Sequence, residues 1–423
     1  MQTLLIYPHL LLFAYNLQEK SDGKEINQPK SWEALRTRLK VPPEADFDSE
    51  RNYPFAVDDV HGFYQRISLG ETDSLLVSTF IKDEDKPQDV ACFHKFRQKL
   101  ELQANVGRTW LILGYLNSAS DADREKAAKE AYKALNGIQQ EPKLKQGNYF
   151  LGSTIFEALQ PQDLTKLENN DFILICICPY KKTMERIATF YYEWLWLFYY
   201  RHKILCAYSN SRIVKKLLEA EGLFPSISII PEIQFYLPEL NLANLSLEQI
   251  KIDLHKNLLM LSKQTGGLES LALQLQTLKT NVKNYKNRLE KIKEIANNEN
   301  GLTKLNFLEE FGEAVASKYQ GEIEQDYTSL SPSLKIREKY IDTIRGIMEV
   351  SQAERDRTLT NTIAIVGIAV ASSSITATIL STQLPQPQPK NSLSLTTAFF
   401  LSISAAIIPA AIAFILLHQF RRK

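Results

Sequence analysis

The chain has 423 residues, 44% of them hydrophobic and 23% charged, with a formal net charge of +1. That balance excludes a disordered chain, a collagen and a small disulfide-stapled domain, and it lacks the basic excess of a dedicated nucleic-acid binder. Of the 99 charged side chains only four, all basic, fall in the last 65 residues, which leaves the first 358 with a net charge of −3.

Residues 1–235 read as one α/β domain. Strands are expected at Leu4–Tyr7 with Leu11–Tyr15, Gly62–Leu69, Leu75–Ile81, Thr109–Leu116, Tyr149–Phe156 and Phe172–Cys178, all rich in β-branched and aromatic residues. Helices are expected at Ser31–Leu39, Asp89–Asn105, Ser120–Leu135, Lys182–Ala207 and Ser211–Glu221, with Asp89, Ser120 and Ser211 as N-caps. Met1–Tyr7 has no basic leader, so no signal peptide is expected, and Cys92, Cys176, Cys178 and Cys206 are expected as reduced cytosolic thiols.

The sequence offers no enzyme signature. It has no phosphate-binding glycine loop, no dinucleotide fingerprint, no nucleophile elbow, and its six histidines have no ligand spacing. Neither a cofactor nor a metal is expected. Cys176 and Cys178 fall on one strand face and read as core, since no second pair closes a tetrahedral site. The aromatic run Phe190–Tyr200 is too closely flanked by Arg186 and Arg201 to span a bilayer. It reads as a buried helix, with Trp194 and Trp196 as candidates for a subunit or partner interface.

Gly222 to about Leu245 is a proline-punctuated connector. Beyond it Leu268, Leu271, Leu275, Leu278, Val282, Tyr285, Leu289 and Ile292 alternate three and four apart, a heptad seam. Leu275, Val282 and Leu289 are its interface candidates. The helix is expected from Leu247, capped by Ser246 with Gln249, kinked at Gly266-Gly267 and ended by Asn297–Gly301. The basic side chains between Lys279 and Lys293 read as its solvated face. A shorter helix follows from Leu302 to about Lys318. Another is expected to start at Ser333 and run unbroken into the tail, since no proline occurs between Pro332 and Pro385; it would reach about 50 residues, roughly 75 Å.

Leu359–Leu380 and Leu395–Leu417 are 22 and 23 residues long and uncharged, each enough to cross a bilayer. The loop between them carries Pro385, Pro387 and Pro389, which favour an extended path. Arg355, Arg357 and Arg421–Lys423 flank the pair, whereas the loop has only Lys390, so both termini are expected in the cytoplasm, with the chain in the inner or plasma membrane. The first span groups Asn361, Ile365, Ser372 and Thr376 on one face, as helix packing or as the lining of a polar path. The second is more aliphatic and aromatic and is expected to face lipid, with a kink at Pro409.

The expected fold is thus a cytosolic α/β domain (1–235), a long helical coiled-coil stalk (245–358) and a C-terminal two-helix transmembrane hairpin with a short basic tail (359–423). This layout resembles the CorA family of metal-ion transporters. Ile341–Gly346 followed by Ala353–Asn361 is similar to the stalk-to-membrane junction of CorA-like proteins. The resemblance implies a homopentamer with the first span lining the pore. It departs from the family at the outer end of that span, where Ser381–Pro387 stands in place of the Gly-Met-Asn hallmark, and the loop has no acid to concentrate a divalent cation. The implied function is an oligomeric channel or regulated pore other than a standard magnesium transporter. The alternative is a membrane-tethered sensor or interaction module with no pore. The expected partners are the lipid bilayer and further copies of the chain, not nucleic acid.

Overall fold

A computed structural model describes residues 3–17, 30–46, 51–82, 86–117, 120–159, 171–223, 247–299 and 301–352. The connector, the Ser246 cap and everything beyond Gln352, including both uncharged segments and their loop, lie outside the described residues. The chain divides into two units, Met1–Asn210 with Leu275–Gly321, and Ser211–Gln274 with Glu322–Lys423.

The first unit is built on a ten-stranded sheet. Its strands are β1 (Leu4–Leu17), β2 (Tyr53–Val57), β3 (Val60–Leu69), β4 (Thr72–Ile81), β5 (Pro87–Asp89), β6 (Gly107–Tyr115), β7 (Lys143–Lys145), β8 (Tyr149–Phe150), β9 (Ser153–Leu159) and β10 (Asp171–Cys178). The order is β2-β3-β4-β1-β6-β10-β9-β7, with β5 on β1 and β8 on β9. Every pairing is antiparallel except β6 with β10.

The two short strands expected at the start are one long strand. Pro8 has no N–H for a ladder, yet β1 is central; a bulge between Ile6 and His9, with Tyr7 at φ +50°, absorbs the misfit. Conversely, the strand expected over Tyr149–Phe156 is a hairpin, turned at Leu151-Gly152 with φ +53° and +78°. The edge strands β2 and β7 and the short β5 were not expected.

The helices of this unit include α1 (Lys30–Arg38), α2 (Cys92–Leu100), α3 (Asp121–Asn136) and α4 (Lys181–Ala188). Three long helices follow: α5 (Tyr191–Ala220), α6 (Leu247–Asn298) and, after the short α7 (Asn306–Glu310) and a π turn (Phe311–Val315), α8 (Ala316–Gln352). Asp89 belongs to β5 and does not cap α2. The helix expected over Lys182–Ala207 is broken after Ala188, where the Thr189 hydroxyl donates to the Arg186 carbonyl at 2.8 Å. Ser211 is not a cap but an interior, buried residue of α5.

Alternation along β1 decides the layering. Leu10, Leu12 and Ala14 join Trp32, Phe93, Phe96 and Ala128 from α1–α3 in one core. The opposite face turns Phe13 and Tyr15 to α5: the Phe13 and Phe198 rings lie 5.2 Å apart, and the Tyr15 hydroxyl donates to the Leu195 carbonyl at 2.7 Å. The sheet is therefore covered on both sides, and β1, β6 and β10 are buried almost throughout.

In the second unit the first half of α6 packs against α8. Leu254 and Leu261 meet Ile341, Ile344 and Met348. The helix expected to start at Ser333 instead passes through Pro332 without a break. Pro332 lies on the exposed side, where water can serve the carbonyl that the missing N–H leaves unbonded, while Leu330, Ile341 and Ile344 stay packed. Nor does Gly266-Gly267 interrupt α6. Gly267 instead lets α5 approach, because a Cβ there would lie 2.7 Å from Leu218.

Candidate functional site at the sheet–helix junction

In the first unit the junction is centred on Arg201 of α5, which is only 3% exposed. Its guanidinium lies 3.9 Å from the centroid of Phe172 on β10 and 4.0 Å from that of Phe311 on the π turn. The cation is held between a ring of the sheet and a ring of the helical segment. Glu157 of β9 lies 3.8 Å from it and 3.5 Å from Lys145 of β7, and Lys145 reaches Glu310 of α7 at 2.9 Å. Burial pushes the Arg201 pKa down, and the Glu157 charge opposes that shift. The Arg201 Nε has no hydrogen-bond partner. A buried guanidinium held by two rings and one distant carboxylate fixes position more than it adds stability.

The seam of α6 completes the junction. Tyr285 is fully buried, its hydroxyl donates to the Leu308 carbonyl at 3.0 Å, and its ring meets Phe311 edge-on at 5.3 Å. Leu271, Leu278, Leu289 and Ile292 are also buried, whereas Leu275 and Val282 are half-buried. The aromatic helix is placed as its spacing suggested. Trp194 is 1% exposed, stacked on Phe198 and edge-on to Phe150, so its ring is enclosed within this unit. Trp196 is half-buried under the guanidinium of Arg288, 5.6 Å away.

The basic stretch of α6 is largely neutralised in place. Arg288 and Lys291 hold Glu193 of α5 at 2.5 and 2.8 Å, and Lys293 pairs with Glu290 and Glu309. Burial alone would raise the Glu193 carboxyl. The hydrogen bonds from Lys291 and Arg288 outweigh it and hold the group below its ordinary value.

In the second unit the apolar seam is interrupted by a polar layer. Gln264 is fully buried, donates to Ser333 and accepts from the Arg337 Nε at 3.2 Å. Arg337 also reaches Asn257 at 3.3 Å. Such a layer fixes the register of two helices, because a slip would leave these groups unpaired. Asp326 of α8 is bound by Arg212 and Lys215 of α5.

The spacing of the sequence located the seam and the aromatic helix. It did not single out Arg201, Glu157, Phe172 or Phe311, although an arginine at the end of an aromatic run is a visible signal. The pore-lining candidates Asn361, Ile365, Ser372 and Thr376 lie outside the described residues. Among the described residues no group of His, Cys, Asp and Glu is arranged to hold a metal ion, and no helix is long and apolar enough to cross a membrane.

No protein-family model and no curated protein matches the sequence. Among solved structures the chain is similar to the complete structure of the CorA magnesium transporter from Methanocaldococcus jannaschii, at 14% identity, over 74% of this chain and 90% of that one, with a TM-score of 0.12. The likeness is faint.

Proposed function

We propose that this chain is a CorA-like oligomeric membrane protein, a channel or regulated pore other than a standard magnesium transporter, in which the sheet domain acts on the membrane segments through long helices. One observation carries the reading. Helix α8 continues to Gln352, seven residues before the uncharged segment that starts at Leu359, and no proline occurs between Pro332 and Pro385. An anchor alone would need no 37-residue helix leading towards it. The polar layer at Gln264 and the sandwich at Arg201 support it, because both would resist slippage along a transmitting helix.

Light scattering of the full-length protein in detergent tests the assembly, with a pentamer expected. A monomer over a wide concentration range would remove the central pore. If a ring forms, liposome flux is expected to fall at least tenfold in Ser372→Trp and Thr376→Trp.

A second reading is favoured by the seam itself. Tyr285 finds its partner within the chain, on Phe311, so the seam there needs no other subunit to cover it. In that reading the tail is only an anchor and the sheet domain binds a partner. Flux that survives both substitutions would count against this reading as well as against the proposed lining; absence of any flux from a monodisperse reconstituted protein would favour it.

A further inference from the structure

The π turn at Phe311–Val315 is bonded i→i+5: the Ala316 N–H donates to the Phe311 carbonyl. Such a turn holds one residue more than an α-helical turn. If it closed to α, every later residue would advance by one position, about 100° of rotation and about 1.5 Å of rise. Such turns recur at functional sites, and this one begins at the residue that clamps Arg201.

Several contacts surround the turn, and those after it depend on its register. The Phe311 ring lies 4.0 Å from the Arg201 guanidinium, which also lies 3.9 Å from the Phe172 ring of the sheet. Gly312 lets the turn press against α6, since a Cβ there would lie 3.2 Å from the Tyr285 ring. Before the turn, Glu309 pairs with Lys293 and Glu310 with Lys145. After it, Tyr319 stacks on Tyr208 with centroids 4.0 Å apart and planes 16° from parallel. The Tyr208–Tyr319 stack belongs to the π register alone: after closure to α, the position of Tyr319 would be taken by Lys318.

We infer that the π turn is a two-register joint, kept in its long form by Phe311 seated on Arg201 together with the later contacts of α8 (Tyr319 on Tyr208, Asp326 on Arg212 and Lys215, Ser333 and Arg337 on Gln264), and that loss of the Phe311 contact tips it to the α form, in which α8 exchanges those later partners in one step. A signal that moves β10 or α5 would then reach the following helix as a whole-residue step rather than a graded bend. This use rests on the proposed function, but the register is measurable without it.

The test is disulfide formation in the full-length protein, with Cys206→Ser removing the neighbouring thiol. One pair is Tyr208→Cys with Tyr319→Cys; the other is Tyr208→Cys with Lys318→Cys. With Phe311 intact the first pair is expected to cross-link at least tenfold faster than the second. Phe311→Leu, which keeps apolar bulk but removes the ring, is expected to reverse or erase that preference. Arg201→Met is expected to do the same from the other side of the contact. Deleting Ala314 removes the extra residue and is expected to hold the first pair in register even with Phe311→Leu. A preference for the first pair that survives both Phe311→Leu and Arg201→Met in folded protein overturns the joint. Because flux is not read, failure of the joint and failure of the pore reading remain separate results.

Discussion

His9 is 8% exposed, and neither ring nitrogen has a hydrogen-bond partner. Its ring stacks on Phe80 at 4.9 Å and meets Tyr7 edge-on at 4.2 Å, so an imidazolium there would find two rings and no acceptor. Burial pushes its pKa down to about 3. Burial does the same to His202, to about 3, helped by the nearby charges of Arg201 and Arg108 and opposed by a hydrogen bond with the Arg108 backbone; its ring also shares a hydrogen bond with the Thr109 hydroxyl at 2.8 Å. Both groups are bases with depressed folded pKa values. The unfolded chain therefore binds more protons between pH 6.5 and about 3, and stability falls as pH drops through that window. By pH 5 the loss is roughly 2 kcal/mol for each histidine. Thermal unfolding between pH 7.5 and 5 is expected to show a falling midpoint, and His9→Phe is expected to flatten part of that slope. An unchanged slope in His9→Phe would show that His9 is hydrated in the native state.

At the scale of the element, two adjacent glycines of α6 make opposite forecasts. A Cβ at Gly266 meets nothing within 4 Å, so Gly266→Ala is expected to stabilise the helix by about 1 kcal/mol through propensity alone. A Cβ at Gly267 would lie 2.7 Å from Leu218, so Gly267→Ala is expected to destabilise by about 1–2 kcal/mol despite the same propensity gain. Paired denaturation curves separate them. Pro332→Ala is expected to stabilise α8 by about 2 kcal/mol, as judged by the same curves, by restoring a helical N–H at an exposed site. The seam of α6 was legible from spacing because a 3.5-residue repeat has one packed solution. The breaks were not, because proline and glycine act through their neighbours: exposure lets Pro332 stay in a helix, and Leu218 explains Gly267. The edge strands escaped for a related reason, since three residues at β5 and β7 are too few to show alternation and β2 carries Pro54.

At the scale of the molecule, the α/β class and the two uncharged segments of the tail were legible in the sequence, while the partners of the junction were not. Arg201, Phe172 and Phe311 are far apart in sequence, and no local pattern tells a reader that they converge. That separation also bears on how the protein is made. The first unit is discontinuous: it needs Leu275–Gly321 as well as Met1–Asn210. A ribosome adding about 5–20 residues per second would finish the sheet and α5 several seconds before it supplied Tyr285 or Phe311. Throughout that interval Arg201 would lack its outer ring, and Trp196 would lack Arg288. Nascent chains arrested near residue 270 are therefore expected to be cut by protease within α5, and chains arrested well past residue 350 to be protected there. The contacts that fix the junction in the finished protein thus leave the aromatic helix uncovered for part of its synthesis.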